Sequence, residues 1–142
     1  LPQTPISVPA GFAPANAVGF SDPDGSLALV SSATPFPVSF EQLAAPDALE
    51  GNATASTIAG PWMPATGRPI TLSLSGTWNG EVSLLRSTDG GATRLPVTIG
   101  GQPWANFTAN ACEPVWEEAD PSASFYLDIT IASGTAQFRL AN

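Results

Sequence analysis

The chain has no histidine and no lysine, one cysteine, and four basic side chains, all arginine, in 142 residues. Without histidine or lysine, the commonest general base and any Schiff-base amine are missing, so acid–base chemistry would fall to carboxylates. The lone Cys112 rules out an intrachain disulfide framework and a CxxC metal site. With no histidine to activate its thiol, Cys112 reads as a small apolar core residue rather than a nucleophile. The lack of disulfides suits synthesis in a reducing cytoplasm. Four scattered arginines against twelve acidic residues give a net charge of −8. That balance leaves no basic surface to displace counterions from nucleic acid or to meet an anionic membrane. Runs of eighteen apolar residues are absent too, so no membrane span is expected.

What the chain does have is 15 prolines, 13 glycines and many serines and threonines, with 43% hydrophobic and 11% charged residues. This composition points to an all-β protein with many turns. Charge divides it. Residues 1–57 hold five carboxylates and no basic residue, whereas residues 58–142 hold all four arginines and seven carboxylates. The first part is broken by Pro2, Pro5, Pro9, Pro14, Pro23, Pro35, Pro37 and Pro46. Each removes a backbone donor and disfavours helix before it. Residues 1–57 therefore read as an extended, proline-rich N-terminal arm with short strands near 26–32 and 37–40. "SDPDG" at 21–25 reads as a tight turn. "FEQLAAPDALEG" at 40–51 is the one helical scrap, cut short by Pro46.

The second part alternates with period two, the mark of half-buried strands. Ile70, Leu72 and Leu74 share one face of 69–76, and Val82 and Leu84 share one face of 81–87. Phe125, Leu127, Ile129 and Ile131 face inward on 125–132, and Ala136, Phe138 and Leu140 on 136–141. Asn79-Gly80 and Ser133-Gly134 read as turns between these runs. With further strands at 54–59, 92–98, 104–108 and 112–118, residues 58–142 are expected to form a small antiparallel β-sandwich or jelly roll.

Chemistry-bearing patterns are few. Glu113, Glu117, Glu118 and Asp120, grouped around Trp116, supply the carboxylates a glycosidase would need. The plainer reading is a solvated acidic turn started by Asp120-Pro121. Asp22 and Asp24 lack the further ligands of a calcium loop, so "DPDG" is read as a turn. The sequons "NAT" (52–54) and "NFT" (106–108) carry no weight outside a secreted eukaryotic chain. Trp62, Trp104 and Trp116 are the candidate surface aromatics, and with Trp78 they would be the platforms of a carbohydrate-binding module. No catalytic residue, metal site or cofactor is expected.

Ser87, Asp89, Gly91 and Thr93 in "STDGGAT" resemble the S-x-D-x-G-x-T Asp-box, a hairpin motif repeated in the propeller sialidases. Arg94 stands where an aromatic usually follows. A single copy cannot make a propeller, so the stretch is expected to be a hairpin between 80–87 and 92–98 without a ligand.

The order "LSLSGTW-G-V-L-RS-DGG-T", then "W--FTA", "EPVWEE", an apolar strand, "SGT" and a closing "-RL" resembles a β-domain of small virion proteins of tailed bacteriophages. The arm segment "LVSSATPFPVSF" is similar to segments of phage head and tail proteins. The resemblance implies a head decoration (cement) protein, made in the host cytoplasm and bound to the outer capsid surface. Its partners would be the major capsid protein and neighbouring copies of itself, as a homo-oligomer on the shell. A head-fibre or tail-tip module is the second implication. The matching positions are structural and carry no functional residue over. The apolar residues of the arm, Phe12, Phe20, Leu27, Leu29, Phe36, Val38 and Phe40, are the expected partner contacts.

Overall fold

The computed structural model describes residues 18–39 and 44–142. They fall in two compact units that divide after Glu41. The described residues are all-β, with antiparallel pairing throughout and no helix.

In the first unit, β1 (Gly19–Ser21) and β2 (Leu27–Leu29) form a hairpin with Phe20 opposite Ala28. "SDPDG" is its turn. The Gly25 amide donates to the Asp22 carbonyl at 2.8 Å, and the Ser26 amide donates to Asp24 Oδ1 at 2.9 Å. Phe36 stands edge-on to Phe20 with ring centroids 6.1 Å apart. Residues 37–39 lie outside any strand, while Phe12 and Phe40 fall outside the described residues.

The second unit is organised by two long strands. β5 (Pro69–Ser87) has 19 residues and β11 (Ser124–Ala141) has 18, and they pair from Ser87↔Ser124 to Thr71↔Ala141. Shorter strands flank each half of this ribbon. β10 (Ala111–Glu117) pairs with the first half of β5, and β3 (Leu49–Ala53) pairs with the last part of β11. β4 (Thr57–Trp62) pairs with the first part of β11. β6 (Leu95–Pro96) and β9 (Asn106–Phe107) pair with the second half of β5. A separate hairpin joins β7 (Thr98–Ile99) to β8 (Gln102–Pro103). Its two-residue turn, Gly100-Gly101, has φ of 60° and 78°, the geometry that a twisted hairpin favours.

Two expected turns are therefore ladder. Asn79-Gly80 sits inside β5 and Ser133-Gly134 inside β11, with Gly80 opposite Ile131 and Gly134 opposite Trp78. The reason is steric. A Cβ on Gly134 would overlap the Thr77 carbonyl oxygen and lie 2.8 Å from Trp78 Cα, so glycine lets the strands approach. Residues 49–53, inside the segment read as arm, add a strand to the sheet. Of the helical scrap, residues 44–48 have no regular structure and 49–51 belong to β3.

The inward residues behave as their alternation requires. The largest fully buried side chains are Phe125, Ile70, Leu72, Leu84, Leu127, Ile129, Leu140 and Val82, all on β5 or β11. Each contributes about 1.5–3 kcal/mol by burial. Phe138 is buried with them, and Ile131 is half-buried against the same core. A register shift between Ile131 and Ser133 joins the two inward sets of β11. Those sets fall on odd numbers before it and even numbers after it. One extra residue restores the facing of the second half.

Ile129 is 1% exposed. Ile129→Asp places an unpaired charge there and is expected to abolish folding; a soluble variant with a normal melt would refute the register. Gly134→Ala is expected to cost about 3 kcal/mol, from left-handed strain plus backbone overlap. Gly100→Ala, at φ 60° with nothing within 4 Å, should cost only about 1 kcal/mol. Urea melts of the two variants separate the local strain from the overlap.

Candidate functional site

A dense polar constellation lies where β5 ends. Ser87 is buried and its hydroxyl donates to Asp89 Oδ1 at 2.7 Å. The Gly91 amide donates to Ser87 Oγ at 2.9 Å and the Thr93 amide to Asp89 Oδ1 at 2.9 Å. Gly90 and Gly91 have φ of 71° and 90°, which glycine adopts without strain. These bonds close the expected hairpin, in which Leu85 faces Pro96 and Arg86 faces Leu95. Every oxygen of the motif that bonds does so to the turn itself. The Thr93 amide and the Ser87 hydroxyl hold the Asp89 carboxyl down at about 2.

Beside the hairpin, Arg86 grips Glu118 with both ends of its guanidinium. Nε donates to Oε2 at 2.6 Å and Nη2 donates to Oε1 at 3.1 Å. Glu118 Oε1 also accepts the amides of Ala119 at 3.0 Å and Asp120 at 2.8 Å. The Glu118 carbonyl accepts the Gly67 amide at 2.8 Å. Asp120 Oδ2 lies 3.7 Å from Arg86 Nη2. The Arg86 hydrogen bonds lower the Glu118 pKa against the opposing effect of burial. Glu118 is therefore a buried, ionised acceptor that ties the segment before β11 to β5, and not part of a solvated turn. This corrects the sequence reading at that residue. Its signal was Arg86, which continues the inward parity of Val82 and Leu84 and so needs a carboxylate partner. Asp120 is a turn residue, as expected: its Oδ1 accepts the Ser122 amide at 2.9 Å and hydroxyl at 2.7 Å. Glu113 and Glu117 are exposed.

A groove of about 270 Å³ opens beside this network, lined by Arg86, Ser87, Asp89, Leu95, Val97 and Trp116 among others. Its cation is committed to Glu118 and Asp120. Arg94, in the place of the Asp-box aromatic, lies 4.4 Å above the Tyr126 ring and fastens the hairpin to β11 by a cation–π contact.

The tryptophans separate by environment. Trp62 is 5% exposed and donates its indole N–H to the Asp47 carbonyl at 2.8 Å, so it is a core residue and not a surface aromatic. Its pairing with Phe125 on β11 turns the ring inward. Trp116 and Trp78 are half-buried against the core. Trp78 donates to Asn110 Oδ1 at 2.8 Å. Trp104 is 46% exposed. Cys112 is exposed as well, which corrects its reading as core. It sits opposite Ser73 on the polar face of β5, with Sγ 3.3 Å from Ser73 Oγ.

Among the described arm residues, Leu27, Leu29, Phe36 and Val38 are exposed and Phe20 is half-buried. Among the described residues, no three His, Cys, Asp or Glu side chains are grouped to hold a metal ion. No protein-family model, curated protein or solved structure matches this chain.

Carboxyls held below their unfolded values stabilise the fold above those values and lose that contribution on acidification. The unfolded references are 4.5 for Glu118 and 3.8 for Asp89. Thermal stability is therefore expected to fall as the pH drops from about 5 towards 2. Glu118→Ala should flatten the upper part of that fall. It should also cost about 2 kcal/mol at neutral pH, below the roughly 3–5 kcal/mol of a fully buried pair. The discount follows from the Arg86 side chain, which is 32% exposed. Asp89→Asn should be mild, since an amide oxygen can still accept the turn bonds. Melts across this pH range, with and without calcium, check all three; calcium-dependent melting that Asp89→Asn removes would make the hairpin an ion site.

Proposed function

We propose that this chain is a structural virion protein that decorates and stabilises the outer surface of a tailed-bacteriophage capsid. Residues 18–39 bind major capsid protein subunits and neighbouring copies, and residues 44–142 form the rigid module they hold in place. The phage setting rests on the resemblance of residues 67–142 to small virion β-domains.

One structural observation carries the docking role. The unit built on this two-stranded hairpin exposes Leu27 at 73% and Val38 at 67%, together with Leu29 and Phe36. A hairpin of this size is marginally stable alone and cannot bury such side chains itself. Four large exposed apolar side chains in one small unit point to an interaction surface. Pro23, Pro35 and Pro37 stiffen the segment and lower the entropy lost when it orders on a partner. Weak contacts repeated over a symmetric shell give high avidity. A net charge of −8 suits the outside of a DNA-filled shell better than its inside.

We further infer that the module is a β-sandwich. Both halves of the β5–β11 ribbon contribute to one hydrophobic cluster. Gly76, Gly80, Gly134 and the bulge after Ile131 lie between those halves, where a ribbon can bend and bring them face to face. Such a module needs no partner to bury its own core.

Cryo-electron microscopy of virions whose genome encodes this chain tests the proposal. Density for the module is expected outside the head, with residues 18–39 against the shell. Leu27→Asp with Leu29→Asp should reduce occupancy about tenfold or more, given roughly 1.5–3 kcal/mol per buried leucine. The module's melt should not change. Density confined to the tail, or undiminished occupancy in the double variant, would overturn it.

A further inference from the structure

We propose that Trp104 and the groove around it bind one ring of a neutral glycan. This inference stands apart from the decoration reading and does not depend on it.

Trp104 is fixed at two points yet uncovered. Its backbone amide donates to the Val97 carbonyl at 2.8 Å and its indole N–H donates to the Val115 carbonyl at 2.8 Å. The ring is thus immobilised between β10 and the segment before β7, with almost half its surface in water. The next residue, Ala105, has φ 55°, the one non-glycine in the left-handed region among the described residues. Ala105 is buried and its carbonyl accepts the Leu84 amide at 3.0 Å. The strained backbone tucks Ala105 into the core while Trp104, beside it, stays outside. Backbone strain of this kind costs about 1–3 kcal/mol and concentrates at binding sites. Here it serves a large apolar ring that gains nothing from being exposed in the free protein.

The surroundings select the ligand. Pro103, Trp104, Asn106, Phe107, Glu113 and Pro114 border a groove of about 190 Å³. That is below the roughly 300–1,000 Å³ of sites for drug-sized molecules and suits a single ring of a chain that continues into solvent. The indole N–H is already used, so Trp104 offers only its face. An aromatic face attracts the slightly positive C–H edge of a pyranose. The rim carries a carboxylate and a side-chain amide. Glu113 is an exposed carboxylate, and Asn106 donates one amide N–H to Glu81 Oε1 at 3.0 Å, so its second N–H and its oxygen can serve a hydroxyl as donor and acceptor. A carboxylate and an amide beside a flat apolar face call for a ligand with hydroxyl groups, which both donate and accept. An apolar peptide side chain would desolvate Glu113 without a hydrogen bond in return. An anionic sugar would meet Glu113 and a net charge of −8. A quaternary ammonium would find one exposed aromatic wall and no cage, because Phe107 is half-buried.

The test is binding of the labelled full-length protein to an array of neutral and sialylated oligosaccharides. The tightest neutral binder is then titrated against intrinsic tryptophan fluorescence, with choline chloride as a second titrant. Binding to neutral glycans in the millimolar to micromolar range is expected. Trp104→Ala should weaken it about tenfold or more, as loss of the stacking face requires. Trp104→Phe should retain part of it, and Trp116→Ala all of it. Glu113→Gln should reduce affinity without altering the melt, which keeps the test decisive if Trp104→Ala unfolds. Any of three results would overturn the proposal: no neutral glycan bound, binding that survives both Trp104→Phe and Glu113→Gln unchanged, or saturable choline binding in place of glycan.

Discussion

Everything in the larger unit depends on the pairing of β5 with β11 along their full lengths. These two strands supply all the largest fully buried side chains, and each shorter strand of that sheet pairs with one or the other. The contacts involved are distant in sequence. Thr71 faces Ala141, and Ser87 faces Ser124 across the intervening hairpins. Closing such loops costs entropy before any apolar burial returns it. A substitution at Ile129 or Leu84 therefore acts on the whole unit, whereas one at Leu95 or Ile99 acts on a local hairpin.

The inward faces of these strands were legible in the residues, but their continuity was not. Period two marks which side chains are buried and is silent about whether two runs are one strand. Parity, however, held the answer. Ile70, Leu72, Leu74, Val82 and Leu84 are all even-numbered, so nothing between them had to reverse the chain. In β11 the inward set moves from odd to even, and a single-residue bulge satisfies that shift as well as a turn would. Asn-Gly and Ser-Gly were read as turns because glycine is permissive there. Their real role is close approach of two backbones, which depends on a partner strand that no local window contains. By contrast, Asp89-Gly90-Gly91 was legible because its hydrogen bonds run only to Ser87, Gly91 and Thr93.

The same division holds at the polar residues. Glu118 looked like one member of an acidic run because its partner lies 32 positions away. Cys112 looked apolar and buried because cysteine usually is, yet strand register sets it opposite Ser73. Trp62, Trp104 and Trp116 were indistinguishable as letters. Register and hydrogen bonding made one a core residue, one a half-buried wall and one an exposed, pinned ring. Local chemistry can name the residue types able to act. Which of them face solvent is decided by pairing.

Proline placement limits how such a module can meet others. Sheet edges present unpaired amides and carbonyls and invite a further strand from another chain. β4 carries Pro61, β6 Pro96, β8 Pro103 and β10 Pro114, and each of these strands pairs with one neighbour among the described residues. β5 has proline only at its first position and β11 has none. Central strands need every donor, whereas outer strands tolerate its loss and are shielded by it. In the seven-stranded sheet, β3 is the outer strand of more than two residues without proline. It is guarded by charge instead, with Glu50 Oε2 3.5 Å from Arg139 Nε across the ladder, both exposed. An added strand at β3 would have to accommodate that pair. The long edges of the module thus resist indiscriminate pairing, by proline on β4 and β10 and by the Glu50–Arg139 pair on β3.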